Sequence, residues 1–494
     1  MAAPASLVFF GDSLTDNGNL FALAGVPQSP YVNGVFSNGP TYAAPSNLPA
    51  LLHKSSANFA FGGARAHGTQ IANGTDINFG GQVAHYLAKP HGAHETVFVN
   101  LGSNDYLNYD PATDGDAATF VKGVIQSISN GVNAIVGAGG VDEVVLYTIP
   151  NVALAPAKAA LTPVQKAGAT AIVAGHNGGI HTLAAVQDAL GIDTVVVDIA
   201  RLQVEFTKDA DTFGLKTTDI PFVSPDAQGV EQSTGVLAFL RPDQVAYFDE
   251  IHPSAAVHGI AAVFSAATLK ADQVFLFDGG SQSVAGTAAT DLAFTGRGND
   301  VVSTLAGNDT ILAGLGKDVV QAGDGNDIAI GGGGNDRVYG GNGSDVVAGN
   351  LGNDRLYGGN GNDVLISGQG SDIVLGGNGN DIMIFAQDLQ VAGHDTFNGG
   401  NGIDTVRVIV DEFALFLHPE IQLDLAAFGS SIAATHQGVL TSLGLSANHV
   451  ERLEVYVQHH DGSITAGASF AHAAVAETPV VHSLLHAAGL WGLL

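Results

Sequence analysis

The densest concentration of chemistry in this chain of 494 residues is a run of aspartates nine residues apart. Asp300, Asp309, Asp318, Asp327, Asp336, Asp345, Asp354, Asp363, Asp372 and Asp381 fall in strict register. After an interruption at Ala386–Gly393, Asp395 and Asp404 resume the spacing in a shifted phase. Typical units read GGGGNDRVY (331–339), GGNGSDVVA (340–348) and GGNGNDVLI (358–366). The glycines permit positive φ in tight turns. The aspartate offers a hard carboxylate oxygen, and turn carbonyls offer more. A short strand follows, predicted to turn its first apolar residue inward at Val301, Ile328, Val346, Val364 and Ile373. One unit cannot bury that residue alone, but a stack of them can. The pattern predicts structural Ca²⁺ on the ten in-register aspartates and Asp404. A flexible glycine-rich linker would not keep aspartate in register or place Val, Ile or Leu behind it.

A second candidate centre lies near the N-terminus. In SLVFFGDSLTDNGN (6–19) an apolar strand ends in a Gly-Asp turn. Ser13 then stands at the C-terminal edge of the sheet, where open α/β sheets bind ligands. Three further segments follow: NFAFGGARA (58–66), VNLGSNDY (99–106) and FDEIHPSAAVHG (248–259). Taken singly, their polar residues have plain structural uses, Ser13 and Asp249 as helix caps and Asn104 as a turn residue. Taken together and in order, the four segments resemble the blocks of the GDSL, or SGNH, serine hydrolases, over residues 6 to about 270. FTKDADTFGL (206–215) is similar to the family's segment before the last block.

That resemblance implies a nucleophile at Ser13, a base at His252 and an orienting carboxylate at Asp249. It also implies an oxyanion hole from the backbone amides of Ser13 and Gly63, with Gly62 the adjacent alternative, and from the side chain of Asn104. The chemistry suits these residue types. A serine hydroxyl is a weak nucleophile until a neighbouring base takes its proton. The carboxylate steadies the imidazolium that results, and the developing oxyanion needs preorganised donors. Asp12 and Asp105 are expected to support turns. His258 and the His459–His460 pair are expected to be non-catalytic.

The aspartate-bearing units resemble the RTX repeats of secreted bacterial proteins. The resemblance implies a parallel β-roll with calcium between successive turns, unfolded without it. It further implies export by one-step secretion machinery that reads an uncleaved C-terminal signal. The start of the chain, MAAPASLVFFGDS, lacks a basic segment and reads as no cleavable signal peptide.

These side chains must be positioned by at least two domains. Residues 1–272 are expected to form the hydrolase domain, a three-layer flavodoxin-like α/β fold with a parallel sheet. Apolar runs at Leu7–Phe10, Thr96–Asn100, Glu143–Tyr147 and Thr194–Asp198 suit buried strands. Phe120, Val121, Val124, Ile125, Ile128, Val132 and Ile135 recur at helical spacing, and a second helical run covers Thr162–Leu190. Residues 273–295 are expected to be a linker or the first irregular strands of the next domain. The β-roll is expected over 296–408, and a C-terminal β-rich cap carrying the secretion signal over 409–494.

Composition narrows the partners. Asp and Glu number 47 against 17 Lys and Arg, a formal charge of −30, which argues against nucleic acid. Cysteine is absent, so disulfides and a Cys nucleophile are excluded. No stretch has the ~20 apolar residues of a transmembrane helix. The expectation is a secreted esterase or lipase acting on an acyl ester or lipid, free outside the cell or associated with its surface. A phospholipase, an acyltransferase or a carbohydrate deacetylase would use the same triad, with Ala24–Ala50 as part of the substrate wall. A catalytically inactive surface or adhesion protein is the alternative of another class.

Overall fold

The computed structural model describes residues 6–17, 19–24, 41, 43, 44, 46–107, 109–208, 221, 223–225, 231–234, 246, 247, 249, 251–277, 279–386, 393–411, 419–458 and 464–466. Much of the expected substrate wall at Ala24–Ala50, most of 206–215, the His459–His460 pair and the chain from 467 onward lie outside these residues. The chain divides into two compact units, one formed by residues 1–208 with 215–266, the other by 209–214 with 267–494.

The first unit is built on five strands: β1 (Ser6–Gly11), β2 (Ser55–Asn58), β3 (Glu95–Asn100), β4 (Val141–Tyr147) and β5 (Asp193–Val197). They pair in the order β2-β1-β3-β4-β5, all parallel. This is the flavodoxin-like order, whose ligand crevice opens where β1 and β3 diverge. The strands are apolar on both faces because both are covered. Val8, Phe10, Val97, Val99, Val144 and Leu146 pack with helices α1 (Ala117–Gly137) and α2 (Pro163–Ala189). Leu7, Phe9, Phe98, Val145 and Tyr147 are buried on the other face. There the Tyr147 hydroxyl donates to Ser265 Oγ of α3 (Ala255–Lys270) at 3.1 Å.

The helices follow their sequence signals. In α1, Val124, Ile128, Val132 and Ile135 are fully buried, and Phe120, Val121 and Ile125 pack partly buried against the same core. Asp116 caps its start by accepting from the Thr119 amide. In α2, Thr162 and Gln165 form a capping box with Pro163 at the first helical position. A Cβ at Gly179 would stand 2.6 Å from Ile125 Cγ1, so glycine there lets α2 close on α1.

The second unit is a parallel β-roll. Successive strands alternate between a ten-stranded and a nine-stranded sheet, each pairing with the strand one coil later. Along most of its length the register advances eighteen residues per coil, as in Arg337 beside Arg355. Across the interruption the offset is 23 residues, from Asp372 to Asp395.

The inward residue differs from expectation by one position. Val301 is 51% exposed and Ile373 39% exposed, whereas Val302, Ala329, Val347, Leu365 and Val374 are completely buried. Each aspartate already points inward, so strand alternation sends the next residue out and the one after it in.

The span 273–295 is not a linker in the structure. Gln273–Leu276 pairs with Asp291–Phe294, and Ser283–Ala285 with Val301–Ser303, so the roll begins ahead of the strict nine-residue register.

At the far end, Leu445–Asn448 and Arg452–Gln458 continue the two sheets in parallel. Gln437–Leu440 and Ile464–Ala466 then add one antiparallel strand to each. A helix, α4 (Pro419–Thr435), joins this largely β cap. Its Ile421, Leu425, Phe428 and Ile432 extend the interior cluster of the roll and cover what would be an open end.

Candidate active site and calcium ladder

The four motif segments converge at the C-terminal end of the five-stranded sheet. The turn after β1 is held tightly. The Thr15 and Asp16 amides donate to the Asp12 carbonyl at 3.0 and 2.9 Å, and the Leu14 amide to Asp12 Oδ1 at 3.1 Å. A Cβ on Gly11 would stand 2.8 Å from the Asn100 carbonyl oxygen, so only glycine fits beside β3. Gln82 anchors the same point by donating to the Gly11 carbonyl at 2.8 Å and accepting the Gly11 amide at 3.0 Å. Asp16 ties this turn to the next segment, accepting the Gly62 amide at 2.8 Å.

Ser13 is thereby fixed facing a histidine from a distant part of the chain. His252 Nε2 lies 3.0 Å from Ser13 Oγ, and His252 Nδ1 lies 2.7 Å from Asp249 Oδ2. Asp249 Oδ1 accepts the amides of Ile251 and His252 at 2.7 and 2.6 Å, which orients the carboxylate. Burial by itself would raise the Asp249 carboxyl. The charge and ring hydrogen bond of His252, with the two amides, outweigh burial and hold it at about 2. It is therefore ionised at neutral pH. Hydroxyl, imidazole and carboxylate form a continuous relay suited to activating a nucleophile.

Asn104 lines the same cleft as Ser13 and His252, and its Nδ2 also donates to the Ala64 carbonyl at 3.1 Å. Gly63 adopts φ +74° in the turn just before Ala64. It is not among the cleft-lining residues, whereas the amide of its alternative, Gly62, is already engaged by Asp16. Asp105 accepts the Ala66 and His67 amides at 2.8 and 3.2 Å, and burial raises its carboxyl to about 6. Asp12, wholly buried, is raised to about 7 for the same reason. The cleft encloses about 870 Å³, part of it open to solvent. Leu107, Val152, Ala155, Ile199, Phe206 and Val257 make much of its wall apolar.

Three residues that sequence reasoning missed belong to this framework: Gln82, Asp16 and His176. Asp16 stood within the first motif. Gln82 and His176 carry no local signal, since each is a polar residue inside a helix whose partner is remote in sequence. His176, wholly buried, pairs through Nδ1 with the Tyr106 hydroxyl at 2.9 Å. His258 does line the cleft, and burial pushes its imidazole down to about 3, so it is neutral at neutral pH.

In the roll, aspartates eighteen residues apart form two ladders. From Asp309 onward each Oδ1 accepts the amide of the aspartate one coil earlier, as Asp345 does from Asp327 and Asp354 from Asp336, at 2.9 and 2.8 Å, while Asp300 Oδ1 accepts the Gln282 amide at 2.7 Å. The other oxygen is the informative one. Oδ2 of Asp300, Asp309, Asp318, Asp327, Asp336, Asp345, Asp354, Asp363, Asp372, Asp381 and Asp404 is buried without a hydrogen-bond partner. These are the eleven aspartates singled out by spacing. Asp291 joins one ladder ahead of the strict register, but Thr287 satisfies both its oxygens.

Leaving so many buried carboxylate oxygens unpaired is costly. Burial first, then neighbouring carboxylates, raises Asp318, Asp327 and Asp363 to about 7. A divalent cation removes both penalties. A Cβ at Gly340 would stand 2.5 Å from Asp345 Oδ2 and 2.8 Å from the Gly358 carbonyl oxygen, so glycine keeps a gap between two oxygens of the kind calcium prefers. Among the described residues no three His, Asp or Glu side chains converge. Backbone carbonyls, with water, would therefore complete the six to eight oxygens that calcium takes. The residues present fit that ion.

A flavodoxin-like sheet with a Ser–His–Asp relay at its crevice, in one chain with a parallel β-roll, defines a hydrolase coupled to a calcium-binding repeat. The family model for the GDSL-like Lipase/Acylhydrolase matches residues 7–263, more than half of the chain, and the chain belongs to that family. The model for the RTX calcium-binding nonapeptide repeat matches 285–320, 312–347, 321–356, 348–383 and 392–406. No curated protein matches the chain. The protein is thus an esterase- or lipase-type hydrolase acting on esters, with repeats that bind calcium structurally.

Proposed function

We propose that the chain is a serine carboxylic-ester hydrolase that works through an acyl-enzyme on Ser13. The observation that carries this reading is the relay Ser13–His252–Asp249, with contacts of 3.0 and 2.7 Å. Ser13 Oγ attacks the ester carbonyl carbon while His252 Nε2 takes its proton. The oxyanion is met by the Ser13 and Gly63 amides and by Asn104 Nδ2. Collapse expels the alcohol, which leaves with the proton from His252. Water, deprotonated by the same imidazole, then frees the acid and restores Ser13. The apolar cleft wall favours an acyl chain over an acetyl group, and hence an esterase or lipase over a carbohydrate deacetylase.

The aspartates of the roll supply the carboxylate oxygens for calcium, and the ion contributes folding energy rather than chemistry. Extracellular calcium sites often have Kd of roughly 10⁻⁴–10⁻³ M, so such a roll would fold after export. This fits a secreted protein carried by one-step secretion machinery. No described helix is long and apolar enough to cross a membrane.

The test is hydrolysis of a chromogenic ester series, acetyl to palmitoyl, by wild type and Ser13→Ala with calcium present. Activity lost in the variant and rising beyond acetyl is expected. Equal turnover by both proteins would refute the mechanism, and preference for acetyl would refute the acyl-chain reading.

A further inference from the structure

The gaps of the roll are not all alike. Gly331, Gly340, Gly349, Gly358, Gly376 and Gly399 each stand five residues ahead of a ladder aspartate, whereas the unit of Asp372 has the buried Ser367 there. A Cβ at any of them would run into that aspartate's Oδ2. At Gly340 the other wall is the carbonyl oxygen of Gly358, eighteen residues on. Each gap thus lies against a buried carboxylate oxygen that has no hydrogen-bond partner; Asp300, Asp309, Asp318 and Asp327 share that trait, so what sets their units apart is the residue at the gap and not the carboxylate.

The units of Asp300 and Asp309 carry Thr295 and Thr304 at that position instead of glycine. Both threonines are wholly buried. Thr295 Oγ1 donates to the Ala313 carbonyl at 2.8 Å, and Thr304 Oγ1 to the Ala322 carbonyl at 2.9 Å. Those carbonyls are again eighteen residues on, the counterparts of the Gly358 oxygen. The hydroxyl occupies the gap and takes the oxygen that a cation would otherwise bind. The Thr304 hydroxyl also lies beside the Asp309 carboxylate. The next two units, of Asp318 and Asp327, place the buried methyls of Ala313 and Ala322 at the same position.

We propose that the roll is built in two parts: the coils up to Asp324, where Thr287 satisfies Asp291 beside Gly286 and threonine or alanine fills the next four gap positions, fold without calcium, and calcium organises only the coils from Gly331 onward. This rests on the calcium reading of the ladder. Three strands in each sheet precede that boundary, about the number of repeats a stack needs to hold together. They would give the calcium-dependent coils an edge on which to assemble, so that folding runs from the N-terminal end of the roll.

Amide hydrogen exchange on the full chain, in chelator and at saturating calcium, tests this. Amides of 291–324 are expected to stay protected in both conditions. Those of 337–384 are expected to gain protection of about 100-fold or more at a calcium concentration 100 times Kd. If 291–324 loses protection in chelator together with the later strands, the proposal is overturned and the calcium reading stands. If 337–384 keeps its protection in chelator, the calcium reading itself falls. Thr295→Val with Thr304→Val should abolish the protection of 291–324 in chelator. Thr304→Gly, which opens the gap, should raise the calcium bound per chain by about one in equilibrium dialysis. Unchanged protection in the first variant, or unchanged stoichiometry in the second, would also overturn the proposal.

Discussion

Replacing Asp249 with Asn keeps the shape of the relay and removes its charge. The carboxyl is held at about 2, against 3.8 for an ordinary aspartate. Net of burial, the charge and ring hydrogen bond of His252 together with the Ile251 and His252 amides favour the ionised carboxylate by roughly 2.5 kcal/mol at about 1.4 kcal/mol per pH unit, which sets the scale of its interaction with a protonated imidazole. If His252 carries the proton in the transition state, losing that interaction slows the reaction by roughly 10². The asparagine amide would also place a donor against Nδ1, 2.7 Å away in the native pair. That favours the tautomer with its proton on Nε2, facing Ser13, where it cannot act as a base. In serine hydrolases with such a relay, the combined loss reaches roughly 10⁴. The expected result is a fall in kcat of between 10² and 10⁴ with KM little changed, measured on a soluble chromogenic ester with calcium present. Thermal melts of variant and wild type should agree within a few degrees. A variant that is well folded and keeps more than a tenth of wild-type kcat would refute the role given to Asp249.

The remaining expectations concern the oxyanion site, the buried histidines and the roll. Asn104→Ala should lower kcat by roughly 10²–10³, the usual cost of one oxyanion donor, and a change under threefold would remove Asn104 from that role. Burial lowers His176 and His258 to about 3, well below 6.5, so from pH 6.5 down to 3 the unfolded chain holds more protons than the folded one. Their contribution is complete above pH 6.5 and is lost at about 1.4 kcal/mol per pH unit for each histidine as the pH falls. Urea melts of the hydrolase unit at pH 6.5 and 5 should show the loss, and His176→Gln should reduce it by about half. Gly340→Ala, at a position where φ is ordinary but a Cβ meets Asp345 Oδ2, should lower bound calcium by about one ion and reduce the thermal stability of the calcium-loaded roll.

What could be read from the one-dimensional chain was whatever depends on local spacing. Strict nine-residue periodicity specifies both the roll and ten of its aspartates, with Asp404 following in the shifted phase, because each coil repeats the same turn and the same burial. The strand-to-turn segment around Ser13 and the Asp–x–x–His pair are likewise local, so Ser13, Asp249 and His252 could be named before their contact was known. Helix α1 followed from its stripe of apolar residues and α2 from the helical run over Thr162–Leu190, while their caps showed only in the structure. Tertiary structure decided everything set by contact between distant segments. Nothing near Ser13 announces Gln82 or His252, 69 and 239 residues away, because a folded sheet edge brings them together without any sequence periodicity. The inward residue of each coil was misplaced by one position because the aspartate takes an inward slot itself, which shows only once the ladder has formed. The strands of 273–295 were read partly as a linker because irregular spacing hides pairing that the neighbouring coil enforces. The difference between a glycine gap and a threonine-filled one is written in the sequence, but it acquires meaning only where a carbonyl eighteen residues away faces it.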